Sequence, residues 1–261
     1  MLINTVVLLL RDLLPIVILL CFLRSFVASS AFSFTHIRNI AISSSLFVLL
    51  FIQIVEPISE WFMGAGLELI QVGFISVSFV LLVLITLLNI VGRKPILSKA
   101  LTHLAIEMFI VIKASNFVVF LHVYLQDKTE VLNVLIGIIL GAGICLSFGA
   151  IFYYLLKEWQ ETSFNYLLYG LWFLFLTGII CQILPLLAQI NMLTLSAPVW
   201  QSGDFIENSS EYGQLLSALI GYQSSPSKEF LWVYSSVFLV LLLLAFSVHF
   251  TLDKHQGNRH E

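Results

Sequence analysis

The sequence predicts an all-α polytopic membrane protein of seven transmembrane helices, with the N-terminus outside and the C-terminus in the cytoplasm. Three observations carry that expectation. Mean hydropathy is +1.01, 59% of the residues are hydrophobic and 10% are charged, values that belong to a bilayer-embedded chain. Seven apolar stretches, near 5–27, 39–58, 67–91, 101–125, 131–156, 165–190 and 230–250, approach or exceed the ~20 residues of one crossing. The basic residues are lopsided. Arg24, Arg38, Arg93, Lys94, Lys99, Lys157, Lys254 and Arg259 fall on one side and only Lys128 and Lys228 on the other, which sets the orientation. Residues 1–261 read as a single membrane domain, in the cytoplasmic or plasma membrane. The first run has no basic segment before it, so it reads as a retained helix rather than a cleaved signal peptide.

The first stretch sets the problem for the rest. Arg11 and Asp12 interrupt its apolar run, and Pro15 follows one turn later. A charge at mid-bilayer costs roughly 2.5–3.5 kcal/mol on insertion scales and usually faces protein or a watery path. Neighbours on a helix point about 100° apart, so the two side chains are expected to find partners on other helices. Pro15 lacks the N–H that would bond the carbonyl of Arg11, which frees a backbone oxygen beside the charges. Either the pair snorkels to one face or it floors a transport or ion site.

The second stretch closes in an acidic, aromatic rim, Glu56-Pro57-Ile58-Ser59-Glu60-Trp61. The third opens with Glu68 and Gln71, three apart and on one helical face. An acid there serves as a helix-end charge or as the mouth of a cation path. The fourth carries Lys113 near its centre, then Ser115 and Asn116. A buried lysine needs a carboxylate or carbonyl partner, and Asp12 and Glu68 are the candidates. His103 and Glu107, at i and i+4, are spaced to pair locally. His103 and His122 lie about 28 Å apart along one helix at ~1.5 Å per residue, too far to share a haem iron.

In the fifth stretch Gly137-x-x-x-Gly141, with Ala142, Gly143 and Gly149, marks a face where helix backbones approach closely. The sixth holds Gln182, Pro185 and Gln189, a polar and kinked face. The loop 191–229 is rich in Trp200, Leu215, Leu216, Leu219, Ile220 and Tyr222, which predicts a short amphipathic helix lying on the outer surface. Asn208-Ser209-Ser210 matches the glycosylation sequon, a common chance triplet. Cys21, Cys145 and Cys181 all lie in apolar runs and form neither a disulfide framework nor a metal pair.

The same loop carries a family likeness. Ala197-Pro198-Val199-Trp200, then Gly213-Gln214-Leu215-Leu216-Ser217-Ala218-Leu219-Ile220-Gly221-Tyr222-Gln223-Ser224-Ser225-Pro226-Ser227, resembles the same region of the high-affinity, oxidase-dependent iron permease family. There a Gly-x-Leu-Leu…Phe-Gly-Tyr…Pro-Ser segment precedes the last helix. Phe152-Tyr153-Tyr154 and Leu174-Phe175-Leu176-Thr177-Gly178 extend the likeness, as do seven spans and a long loop before the last. The family is defined by Arg-Glu-x-x-Glu in spans one and four, and carboxylate oxygens are the matching ligands for a hard cation such as ferric iron.

This chain departs from that pattern. Arg11 and Asp12 stand at the Arg-Glu positions, but Pro15 replaces the second glutamate. In span four Lys113 stands with Ala114, Ser115, Asn116 and Phe117, without carboxylates. The acidic and histidine residues expected near the end of span six are Leu187, Ala188 and Gln189. Glu68 fits the acidic start of span three, with Gln71 in place of a second acid.

The resemblance implies transport of iron, or a related metal cation, as substrate and with no bound cofactor. Asp12 and Glu68 become the metal-binding residues, and Arg11, Pro15, Gln71, Lys113, Ser115 and Asn116 the path or a buried ion-pair network. The partners it implies are the lipid bilayer and an extracytoplasmic iron oxidase or iron-delivery protein, in a homo- or hetero-oligomer, and no nucleic acid. The alternative is a non-transporting structural or regulatory subunit that keeps the permease scaffold. No Ser-His pairing, H-E-x-x-H, phosphate-binding glycine loop or paired catalytic acids occur, so an enzyme is not expected.

Overall fold

The structure, a computed structural model, describes residues 2–26, 34–59, 61–91, 95–125, 131–161, 165–203 and 205–257. Glu60, Arg93, Lys94, Lys128 and Arg259 lie outside them, as do the side chains of Glu56, Lys99, His122 and Lys254. A long apolar run satisfies its backbone polar groups internally, without water, when it is helical, and among the described residues all regular structure is helix. The order is α1 (Leu2–Phe26), α2 (Phe34–Ser59), a short 3-10 turn (Trp61–Gly64), α3 (Gly66–Ile90), α4 (Pro95–Leu125), α5 (Val131–Glu161), α6 (Asn165–Cys181), α7 (Ile183–Gln189), α8 (Glu211–Ile220) and α9 (Lys228–Gly257). Among the described residues six candidate spans are long and apolar enough to cross a membrane: α1, α3, Ala100–Val118 of α4, α5, Tyr166–Gln189 across α6 and α7, and Lys228–Ser247 of α9. The protein is therefore an all-α, polytopic membrane protein.

α1 is the hub. Its apolar window is 61% buried inside the protein against 6% for α9, which places α9 at the periphery. α1 packs along α5 and also touches α4 and α8, while α4 packs on α2 and α3. The small-residue stripe of α5 explains the closest of these contacts. A Cβ added at Gly137, Gly141 or Gly149 would come within 2.8, 2.8 and 2.3 Å of Thr5, Leu9 and Val17. Gly143, off that stripe, has nothing within 4 Å. The Cys21 thiol donates to the carbonyl of Gly149 at 3.4 Å on the same seam. Below it, Phe22 packs on Phe152, Trp172 and Phe175 with ring centres 5.1–5.5 Å apart, and Trp172 Nε1 donates to Thr86 Oγ1 at 2.8 Å.

The sixth stretch is broken in two. Pro185 lacks an N–H and its ring crowds the carbonyl of Cys181, so the helix stops there and restarts at Ile183. Gln182 turns the corner with its N–H on the Ile179 carbonyl, 3.2 Å away. The same chemistry leaves α1 continuous through Pro15, where packing on α5 and α4 holds both halves in line.

The amphipathic helix of the loop exists as α8, but it is docked on α1 and α6 rather than lying free on a surface. Leu215 and Leu219 join the main core, and Gly213 and Ala218 are buried. Its ends fix this placement. Ser210 caps the start through Gly213 N at 3.0 Å, and Gly221 ends it at φ +69°, with a Cβ there meeting Gly178 Cα at 2.4 Å.

Candidate functional site

Arg11 and Asp12 do not reach for other helices. The guanidinium folds back on its neighbour, with Nε to Oδ1 and Nη2 to Oδ2 both at 3.2 Å. The 100° between adjacent Cβ atoms is spanned by the three-methylene arginine stem, which the expectation of separate partners overlooked. Asp12 is buried, 3% exposed, whereas the Arg11 side chain is half exposed. What Arg11 is exposed to is a cavity of about 230 Å³ bounded by α1, the α6–α7 break, α8 and the start of α9.

Lys113 points to the same place from α4. Its Nζ donates to Gln182 Oε1 at 2.9 Å, so the partner is an amide at the helix break. The Asp12 carboxylate attracts Lys113 and the Arg11 guanidinium repels it, but among the described residues no ion pair joins Lys113 to a carboxylate. α1 and α4 do meet, as two helices with complementary charges should.

The remaining predicted residues fall into two further contacts. Gln71 on α3 donates from Nε2 to Asn116 Oδ1 on α4, 3.1 Å apart. Glu68, in the first turn of α3, accepts from Gln189 Nε2 of α7 at 3.2 Å through Oε1. Its other oxygen, Oε2, is buried with no hydrogen-bond partner among the described residues. Ser115 is spent on its own helix, donating to the Ile112 carbonyl at 2.9 Å. Pro15 is buried within α1 and packs rather than binds. His103 Nδ1 and Glu107 Oε2 sit 3.3 Å apart, the local pair their spacing called for.

Three inter-helix polar contacts thus line one seam of α3, α4 and the α6–α7 unit, with α1 closing it at Arg11 and Asp12. Among the described residues no group of three or more His, Cys, Asp or Glu side chains is gathered to hold a metal ion, and Asp12 and Glu68 are not brought into one. No protein-family model, curated protein or solved structure matches the chain.

Sequence reasoning undervalued Gln182. It joins Lys113 to the cavity, and a polar residue three before a proline inside an apolar run was the available signal. Ser217 and Gln223 were quoted only as part of the family likeness, yet both line the cavity. Nothing in local sequence pattern distinguishes them from other loop-helix polar residues.

Proposed function

We propose that this protein is a membrane transport protein whose solute moves along the seam between α1, α3, α4 and α6–α7. In this reading α2 is the seventh span, the N-terminus is outside and the C-terminus cytoplasmic. The cargo is a metal cation, and iron is the first to test because the likeness of residues 152–227 to oxidase-dependent iron permeases implies it. The observation that carries the reading is Glu68 Oε2. A buried carboxylate oxygen with no donor is costly and calls for a cation or a proton. The positive end of the α3 helix dipole favours an acid at this position, but it leaves Oε2 without a hydrogen bond. Gln71 and Gln189, which are hydrogen-bonded through their amide nitrogens, offer neutral oxygens along the same seam, suited to passing a hard cation without trapping it.

A second reading has its own support. Both Asp12 oxygens are taken by Arg11, and Lys113 stands nearby as a fixed positive charge that repels an incoming cation. Under it the protein is a non-transporting subunit held together by a static charge network. Radiolabelled iron uptake into liposomes containing the purified protein decides between them. The transport reading expects uptake above empty vesicles and at least a tenfold loss in Glu68→Gln with normal folding. Uptake equal to empty vesicles for ferrous and ferric iron and for manganese sinks it.

A further inference from the structure

The cavity beneath α8 has a chemistry of its own, whatever crosses the seam. Arg11 reaches it from α1 with Nε and Nη2 held by Asp12, leaving Nη1 uncommitted. Gln182 contributes from the helix break, and its orientation is fixed by Lys113. An ammonium only donates, so Gln182 must offer its oxygen to Lys113, and its NH2 is left without a partner on the cavity side. Ser217 of α8 and Gln223 beyond it add polar side chains with no hydrogen-bond partner among the described residues, beside Asn208, Gln214 and Tyr222, which are bonded within the loop. No carboxylate is among the described residues that line the cavity. Arg11, Asp12 and Lys113 sum to one positive charge beside it. Pro185 and Phe230 add apolar lining.

Donors that line a half-open cavity, with one net positive charge and no acid among the described lining residues, select an acceptor carrying one negative charge. The volume of about 230 Å³ holds roughly seven waters at ~30 Å³ each, so a solute of about seven to ten non-hydrogen atoms fits. We propose that this cavity is a binding site for a small organic monocarboxylate, its carboxylate on Arg11 Nη1 and Gln182 and its hydrocarbon part against Pro185 and Phe230. The site is independent of the metal-transport reading, since it uses neither Glu68 nor a free carboxylate.

Benzoate and its neutral isostere benzamide are the probes, offered to the full-length protein in phosphatidylcholine nanodiscs and read by saturation-transfer NMR and isothermal titration. Benzoate is expected to bind at least tenfold more tightly than benzamide. Gln182→Glu keeps an oxygen for Lys113 while placing an acid on the cavity, and should weaken benzoate at least tenfold. Ser217→Phe fills the space and should abolish binding of both probes in a protein of unchanged helix content. Equal binding of the two probes, no benzoate binding to the folded wild type, or undiminished binding in both variants overturns the proposal. Full displacement of benzoate when the discs contain anionic phosphatidylglycerol reassigns the site to a lipid headgroup and also overturns it.

Discussion

The segment around α8 and the polar seam between the helices contain similar residues and use them in opposite ways. Around α8 the polar side chains that are hydrogen-bonded are mostly spent on backbone groups. Ser210 caps α8, Asn208 Oδ1 takes Ser224 N at 2.8 Å, and Gln214 Nε2 donates to the Asn208 carbonyl at 2.6 Å. The Tyr222 hydroxyl lies 2.7 Å from Ser202 Oγ and donates to the Ile206 carbonyl at 3.0 Å, and Tyr234 ties α9 to the Ile220 carbonyl at 2.6 Å. Glu229 accepts from both the amide and the hydroxyl of Ser196, at 3.0 and 2.9 Å. In the seam, side chain meets side chain and valence is left over among the described residues: Glu68 Oε2, one end of Gln182, one nitrogen of Arg11. A network saturated by backbone is a scaffold, because breaking it unfolds something. A network with unfilled donors and acceptors is costly to keep in an apolar protein, and a ligand that fills them repays the cost.

The largest expected effect breaks the scaffold side. Gly221→Ala puts a methyl group 2.4 Å from Gly178 Cα at a residue with φ +69°. The left-handed backbone alone costs roughly 1–2 kcal/mol for an L-residue, and the backbone clash must lift α8 from α6. A total loss of at least ~3 kcal/mol is expected, read as a collapse of folded yield and of the thermal midpoint in detergent. A variant with wild-type melting would show that the α8–α6 contact is not a fixed point.

Next comes the seam. Asp12→Asn keeps shape but removes the anion between Arg11 and Lys113. Truncating one partner of a buried pair costs roughly 3–5 kcal/mol, and half-exposed Arg11 lowers that to about 2–3 kcal/mol. Adding Lys113→Met should return part of the loss by removing the second positive charge, measured as urea or thermal stability of single and double variants. Additive losses in the double variant would show that Asp12 and Lys113 do not share one network.

How much of this was legible in the sequence follows from how local each cause is. Helices and their packing stripe were legible, because apolar length and the Gly137, Gly141 and Gly149 spacing act within single helices. The split of the sixth stretch was half legible: Pro185 announces a kink, but the identity of the corner residue as the partner of Lys113 depends on where α4 passes. The Arg11–Asp12 pair was misjudged because backbone direction was used for a side chain long enough to ignore it. The docking of α8 was not legible. Amphipathicity gives a helix an apolar face without saying whether lipid or protein covers it, and only the close approach of Gly221 to Gly178 settles the matter.

The smallest effect draws the finest line between the two regions, since it compares two serines on one helix. Ser210 caps α8 and Ser217 lies within it, but Ser210 Oγ accepts from Gly213 N at 3.0 Å and donates to the Glu207 carbonyl at 2.7 Å, whereas the Ser217 hydroxyl has no partner among the described residues and lines the cavity. Ser210→Ala removes a helix cap and should cost about 1 kcal/mol. Ser217→Ala removes a hydroxyl that stabilises nothing in the protein and puts a better helix former in its place, so its stability should stay within ~0.5 kcal/mol of wild type or rise. The ranking should invert for a bound solute: Ser217→Ala weakens benzoate two- to tenfold, the worth of roughly one hydrogen bond, while Ser210→Ala leaves it unchanged. Thermal midpoints and benzoate titrations on the two variants give four numbers. Equal stability losses would erase the distinction between saturated scaffold and unfilled site on which the functional reading stands.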